Sequence, residues 1–461
     1  MKHTPTILAE LEDYLKNENL TLALFAERSG VHPRTLSNLR NRYRPIAVQQ
    51  LDQITRGMGL REGFFYDLYI DNFIIDRAPD WRRIEPLLYR CAEMDKLQQI
   101  GRVVQHIMEK LMYAPMLFNV AEELLSRGHQ DAAMLLYESV AEGERFQHSE
   151  RLALCQYRLF KLKLGENQEQ NLQAAIQFEP FVRRLDDIEQ LDGLKDLANA
   201  YRALRRWDQV MKVAEEMGNL ARIQYSMVSR ADQANLNKPL RPLFFYVAYS
   251  SLLIASVHYE RRNYNLSLQH IKDYACLDWV NETDTDTLHW KSLFKEWAEA
   301  NNYLTKLMAG EIELLPDYIN FIRTKNTEIF PALWNIMIVA NQYDVNVDSI
   351  IDTFNNEILH IHKQDGNEVY NQQDTSDQIV GLLFELAHYY LSKKNYTRGF
   401  EFLMDGMEKC TIINNESILL RNMKLFECYR KVAPDEFKSQ YHNLVEERGT
   451  YEEETRSIVG H

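Results

Sequence analysis

Glycine and proline are scarce, with 17 and 12 copies in 461 residues. Both interrupt regular elements, so their scarcity favours long unbroken helices. Pro180 and Pro331 fall near expected helix ends rather than inside periodic runs. The sequence therefore predicts an all-α fold, with length and 45% hydrophobic content enough for about three average domains. Cysteine is sparse too. Cys91, Cys155, Cys276, Cys410 and Cys428 are widely spaced and odd in number, with no CxxC or Cys/His ligand pattern. That argues against a disulfide framework or a zinc site, and reads as buried or partly buried thiols in a reducing cytosol. No apolar run approaches the ~18 residues of a membrane span. The opening residues MKHTPTILAELEDYLKNEN carry acids within their apolar stretch, unlike a signal peptide. The expectation is a soluble, cytoplasmic protein with no membrane partner.

Catalytic signatures are missing as well. No HExxH, GxSxG, Walker A or GxGxxG pattern occurs, and glycine is too sparse for a phosphate cradle. His360 and His362 form the nearest histidine cluster, but they would not share a helical face and have no carboxylate at a diagnostic spacing. Asp284 and Asp286 in NETDTDT read as helix-start material, since Asp and Thr cap helices well. The chain is expected to be a non-enzyme with no metal and no cofactor.

What is present begins with an uneven charge. The formal net charge is −14, yet residues 1–60 hold eight Lys/Arg against six acids, a net of +2. The other 401 residues then carry −16. Such a body repels a polyanion, which confines any nucleic-acid contact to the N-terminal segment. Five arginines fall within AERSGVHPRTLSNLRNRYRP, residues 26–45.

Periodicity predicts short helices over about 6–16, 22–29, 33–42, 48–58 and 62–69. Leu22, Phe25 and Ala26 share one face, and Ala26 suits a close helix crossing. Gly30 suits the left-handed residue that ends a helix. Pro33 suits a first turn, and Val31, Leu36 and Leu39 would anchor the second helix on the first. His32 takes the cap position. His32, Arg34, Ser37, Asn38 and Asn41 remain exposed on the second helix. Arg can pair with guanine edges and Asn with adenine edges. Arg40, Arg42 and Arg44 lie at or beyond the helix end, where phosphates would run. Residues 6–70 resemble the lambda-repressor/Cro-like (XRE) helix-turn-helix family, although members often carry Ser or Asp where His32 stands. The resemblance implies double-stranded operator DNA as a partner, read by a domain over residues 1–70.

From about residue 80 the sequence reads as successive helix pairs. A small residue, an aromatic three positions later, a polar turn and a second amphipathic helix recur in LANAYRALRRWDQVMKVAEE (197–216), IASVHYERRNYNLSLQHIKDYA (254–275) and LAHYYLSKKNYTRGFEFLMDGM (386–407). The resemblance is to tetratricopeptide repeats. Equivalent starts of second helices are Gln130, Asn167, Trp207, Tyr264, Tyr303, Tyr343 and Tyr396, spaced more widely than the ~34-residue consensus. The polar segment 363–378 reads as a surface loop. Residues 71–461 are thus expected to form a repeat superhelix with C-terminal capping or dimerisation helices over about 416–455. First helices of such arrays line a groove. By repeat alignment Asn199, Arg202, Tyr259, Asn335 and His388 face it. Asn amides can pair with a peptide backbone, and Arg202 with a carboxylate.

The combination of a Cro-like head and a long tetratricopeptide array resembles the RRNPP group of peptide-pheromone-responsive transcription regulators. That resemblance implies quorum sensing by a cytoplasmic homodimer, in which a short signalling peptide in the repeat groove changes DNA affinity. The alternative is a Rap-like regulator whose repeats hold another protein.

Overall fold

A computed structural model describes residues 6–41, 46–165, 167–228, 240–323, 329–355, 358 and 372–446. Arg42, Arg44, His360, His362 and residues 363–371 of the expected surface loop lie outside these residues. Among the described residues the chain is all-helical, without a strand. It divides into two compact units, residues 1–162 and 163–461.

The first unit opens with α1 (Ile7–Asn17), α2 (Leu22–Ser29), α3 (Pro33–Arg40), α4 (Val48–Gly57) and α5 (Tyr66–Ile70), the last running on into a wider turn over Asp71–Ile75. Thr6 and Thr21 cap α1 and α2 by accepting backbone N–H bonds through their hydroxyls. There follow α6 (Trp81–Glu93), α7 (Leu97–Ile107), α8 (Ala114–Ser126), α9 (Gln130–Gly143) and α10 (Glu150–Lys163). Two arginines tie the early helices to the later ones. Asp52 of α4 is buried, and it accepts from the Tyr66 hydroxyl (2.8 Å) and from Arg90 Nε of α6 (3.0 Å). Burial and the Asp52 hydrogen bond push the Tyr66 phenol far above its ordinary range. Arg102 of α7 bridges Asp67 (2.7 Å) and Asp71 (2.5 Å).

The second unit comprises α11 (Gln168–Phe178), α12 (Asp187–Ala203), α13 (Trp207–Val228), α14 (Leu243–Glu260), α15 (Tyr264–Ala275), α16 (Thr285–Met308), α17 (Leu315–Arg323), α18 (Ile329–Tyr343), α19 (Asp348–Thr353), α20 (Gln372–Ser392), α21 (Tyr396–Ile412) and α22 (Glu416–Tyr429), with a last helix over 435–446. Each of the three quoted stretches is a pair of packed helices: α12 with α13, α14 with α15, α20 with α21. Their turns are alike. Arg205, Arg262 and Lys394 adopt φ of 53°, 60° and 63°. The next N–H closes a six-residue loop back onto the first helix: Arg206 to Tyr201, Asn263 to His258 and Asn395 to Tyr390, at 2.8–2.9 Å. This is the Schellman turn, with a long basic residue where glycine is usual.

Small residues set the spacing within the last pair. A side chain on Gly399 would meet Leu391, and Gly406 lies against Leu383 and Asn422. The acidic body uses several of its carboxylates internally. Tyr201 donates to Glu179 (2.5 Å), Tyr246 to Asp192 (2.6 Å) and Tyr389 to Asp348 (2.8 Å).

Three expectations need correction. Tyr303 starts no helix but lies inside α16, and Tyr343 ends α18. Residues 372–378 of the expected loop belong to α20. Cys91, Cys155 and Cys410 are buried, but Cys276 and Cys428 are exposed. Burial pushes the Cys91 and Cys155 thiols up to about 12.

Candidate functional site

The N-terminal candidate is built on α2 and α3. Gly30 (φ 71°) ends α2, its N–H bonded to the Ala26 carbonyl. With Val31 and His32 it makes a three-residue turn, and α3 begins at Pro33. His32 is its N-cap: Nδ1 accepts from the Arg34 backbone N–H at 3.1 Å. An imidazole nitrogen thus fills the place usual for a Ser or Asp oxygen. Phe25, Ala26, Val31, Leu36 and Leu39 are all buried. With one side sunk in the core, α3 turns a polar row outward: His32, Arg34, Ser37, Arg40 and Asn41 are exposed, and Asn38 is half-buried.

Not every cation of the region is equally available. Arg40 pairs loosely with Glu12 of α1 (3.6 Å). Arg28 sits over the Tyr14 ring at 5.9 Å, which gives this basic residue of α2 a partner inside the segment. Arg34 makes no ion pair among the described residues. Tyr69 ties the segment behind α3, donating from its hydroxyl to the Ile46 carbonyl (2.9 Å), and burial pushes its phenol up to about 12.

The second candidate is a cleft of about 200 Å³ inside the second unit. The end of α12 supplies Arg202, the following turn Arg205 and the start of α13 Trp207. Tyr259 and Glu260 come from α14, Asn301 and Thr305 from α16, Trp334 from α18, and Asp377 and Gln378 from α20. Of the residues expected to face a groove, Arg202 and Tyr259 line this cleft together. Asn199, Asn335 and His388 are not in its lining. Asn199 accepts from the Tyr249 hydroxyl (2.6 Å), Asn335 is half-buried on α18, and His388 stacks on Phe384 (centroids 6.4 Å).

Sequence reasoning missed Arg205, Glu260, Trp334 and Asp377 as cleft residues. A signal existed for Trp334: Gly381 lies mid-helix in α20, and any Cβ there would sit 2.4 Å from the indole. A glycine inside an otherwise good helix marks a close approach. The cleft's chemistry is mixed. Desolvation raises the Glu260 carboxyl above its ordinary range although its surface is solvent-accessible, and Arg205 pulls it partly back. Burial lifts the Tyr259 phenol well above its usual value.

No protein-family model matches the sequence, and neither does any curated protein. Among the described residues no helix is long and apolar enough to cross a membrane.

Proposed function

We propose that the chain is a peptide-responsive transcription regulator. It reads operator DNA with α3 and binds a short signalling peptide in the cleft of the second unit. The observation that carries the reading is the α2–α3 pair, in which a left-handed Gly30 and five buried side chains hold an exposed His32–Arg34–Ser37–Asn41 row. These residue types recognise base edges and phosphates, and the acidic remainder of the chain leaves this segment as the place for a polyanion. In this reading Arg34 and Asn38 read bases, while Arg40, Arg42 and Arg44 hold backbone. One such head spans few base pairs, so it acts as a homodimer on two half-sites. Linkage then makes peptide and DNA affinities reciprocal.

The test is selection of DNA from a random-sequence pool, followed by anisotropy measurements on the selected site. Arg34→Ala should weaken binding by about 1–3 kcal/mol, the worth of one lost bidentate base contact. Arg40→Ala should weaken all sequences alike and by less, because Glu12 already shares that guanidinium. Failure to select any sequence at low salt would sink the DNA reading. It would leave the alternative, a regulator whose helix pairs hold another protein.

A further inference from the structure

Four charged side chains line the cleft, and three of them already have work within the protein. Arg205 lies over the Trp334 ring at 5.5 Å, bridging the α12–α13 turn to α18. Asp377 is buried and accepts at one oxygen from Gln168 Nε2 (2.6 Å) and Asn415 Nδ2 (2.8 Å). Arg202 also has a partner. Glu260, on the last turn of α14, stands apart: among the described residues no hydrogen bond or ion pair reaches its carboxylate.

Its surroundings explain what such a group lacks. Tyr259, Trp207 and Trp334 line the same cleft, so Glu260, although it keeps solvent-accessible surface, faces aromatic residues in place of part of its hydration. The raised carboxyl agrees with this, since loss of hydration is its largest cause and the Arg205 charge offsets only part of it. A cation brought in by a ligand would supply the missing counter-charge, and ring faces would favour it further. An anion would meet the Glu260 charge, and the two guanidiniums in the lining, Arg202 and Arg205, already have partners within the protein.

We infer that the occupant of the cleft presents a basic group, a guanidinium or an ammonium, to Glu260, which makes Glu260 the residue that selects ligand charge. The inference rests on the reading of the cleft as a short-peptide site. The basic group can come from an Arg or Lys side chain or from the peptide's own N-terminus.

Three pools of short synthetic peptides separate the possibilities: one with Arg or Lys at a fixed position, one with citrulline or Gln there, and one with Glu or Asp. Each pool is prepared with free and with acetylated N-termini, and peptides retained by the full chain after ultrafiltration are counted by mass spectrometry. Wild type should retain the basic pool about tenfold over its neutral counterpart. Glu260→Gln should abolish that preference without lowering the melting temperature, and Glu260→Arg should reverse it. A preference that follows the free amine and not the side chain assigns the cation to the N-terminus, and Glu260→Gln should abolish it equally. Retention without charge preference, or preference for the acidic pool, overturns the role of Glu260 while leaving the peptide reading intact. Retention of no peptide overturns both.

Discussion

A Cβ on Gly57, the last residue of α4, would sit 2.5 Å from the Ser29 Cβ and 3.0 Å from its Cα. Helix propensity alone favours Ala over Gly by about 1 kcal/mol, but here the clash is partly with backbone, which yields little. Overpacking should win, and Gly57→Ala should destabilise the first unit by roughly 1–3 kcal/mol in urea unfolding. An unchanged midpoint would mean that α2 and α4 can part freely. His32 offers a second test at this scale. If Nδ1 truly caps α3, His32→Ala should cost stability and His32→Ser should recover it, with about 1 kcal/mol between the two variants. Equal stabilities for wild type and His32→Ala would show that the imidazole bond contributes nothing.

Helix ends carry the next level of argument. Arg205, Arg262 and Lys394 hold the left-handed position of their turns at the cost that a Cβ imposes there. Lys394 is exposed, and among the described residues its Nζ makes no hydrogen bond or ion pair, whereas Arg205 serves the cleft. Lys394→Gly should therefore raise stability by about 0.5–1 kcal/mol, read as a higher urea midpoint. A fall would mean that the lysine stem packs usefully on α20. The same ends explain what was legible in the sequence. Thr21, Gly30 and Pro33 are explicit stop and start signals, so α2 and the start of α3 lie where periodicity put them. Tyr303 misled because Asn301–Asn302 before it looks like a turn. Asn301 instead spends its amide on the Tyr274 hydroxyl (2.9 Å) from within α16. Tyr343 misled because an aromatic at a turn fits either helix of a pair; its hydroxyl reaches back to the Met308 carbonyl (2.8 Å). The start of α20 was hidden for another reason. Its polar residues show no apolar period, and Asp377 is satisfied by groups 209 and 38 residues away in sequence.

Those distant partners matter most at the scale of the second unit. Helix pairs in an open array touch only their neighbours, and local loosening stays local. Here α12 also packs on α20, the Gln168 N–H donates to the Ile413 carbonyl (3.4 Å), and its side chain reaches Asp377. The first helix of the unit is thereby fastened to the end of α21, and the fastening passes through a carboxylate that also lines the cleft. No local pattern encodes this closure, because it depends on how successive helix crossings add up. Asp377→Ala should leave the Gln168 and Asn415 amides short of an acceptor in a buried place, a loss of about 1–3 kcal/mol. Its signature is spatial: hydrogen exchange should quicken together in residues 168–178 and 410–418, far apart in sequence, while α14 and α15 keep their protection. Quickening at one end alone would mean that the two ends touch without holding each other. In that case a ligand in the cleft could not influence both ends through Asp377.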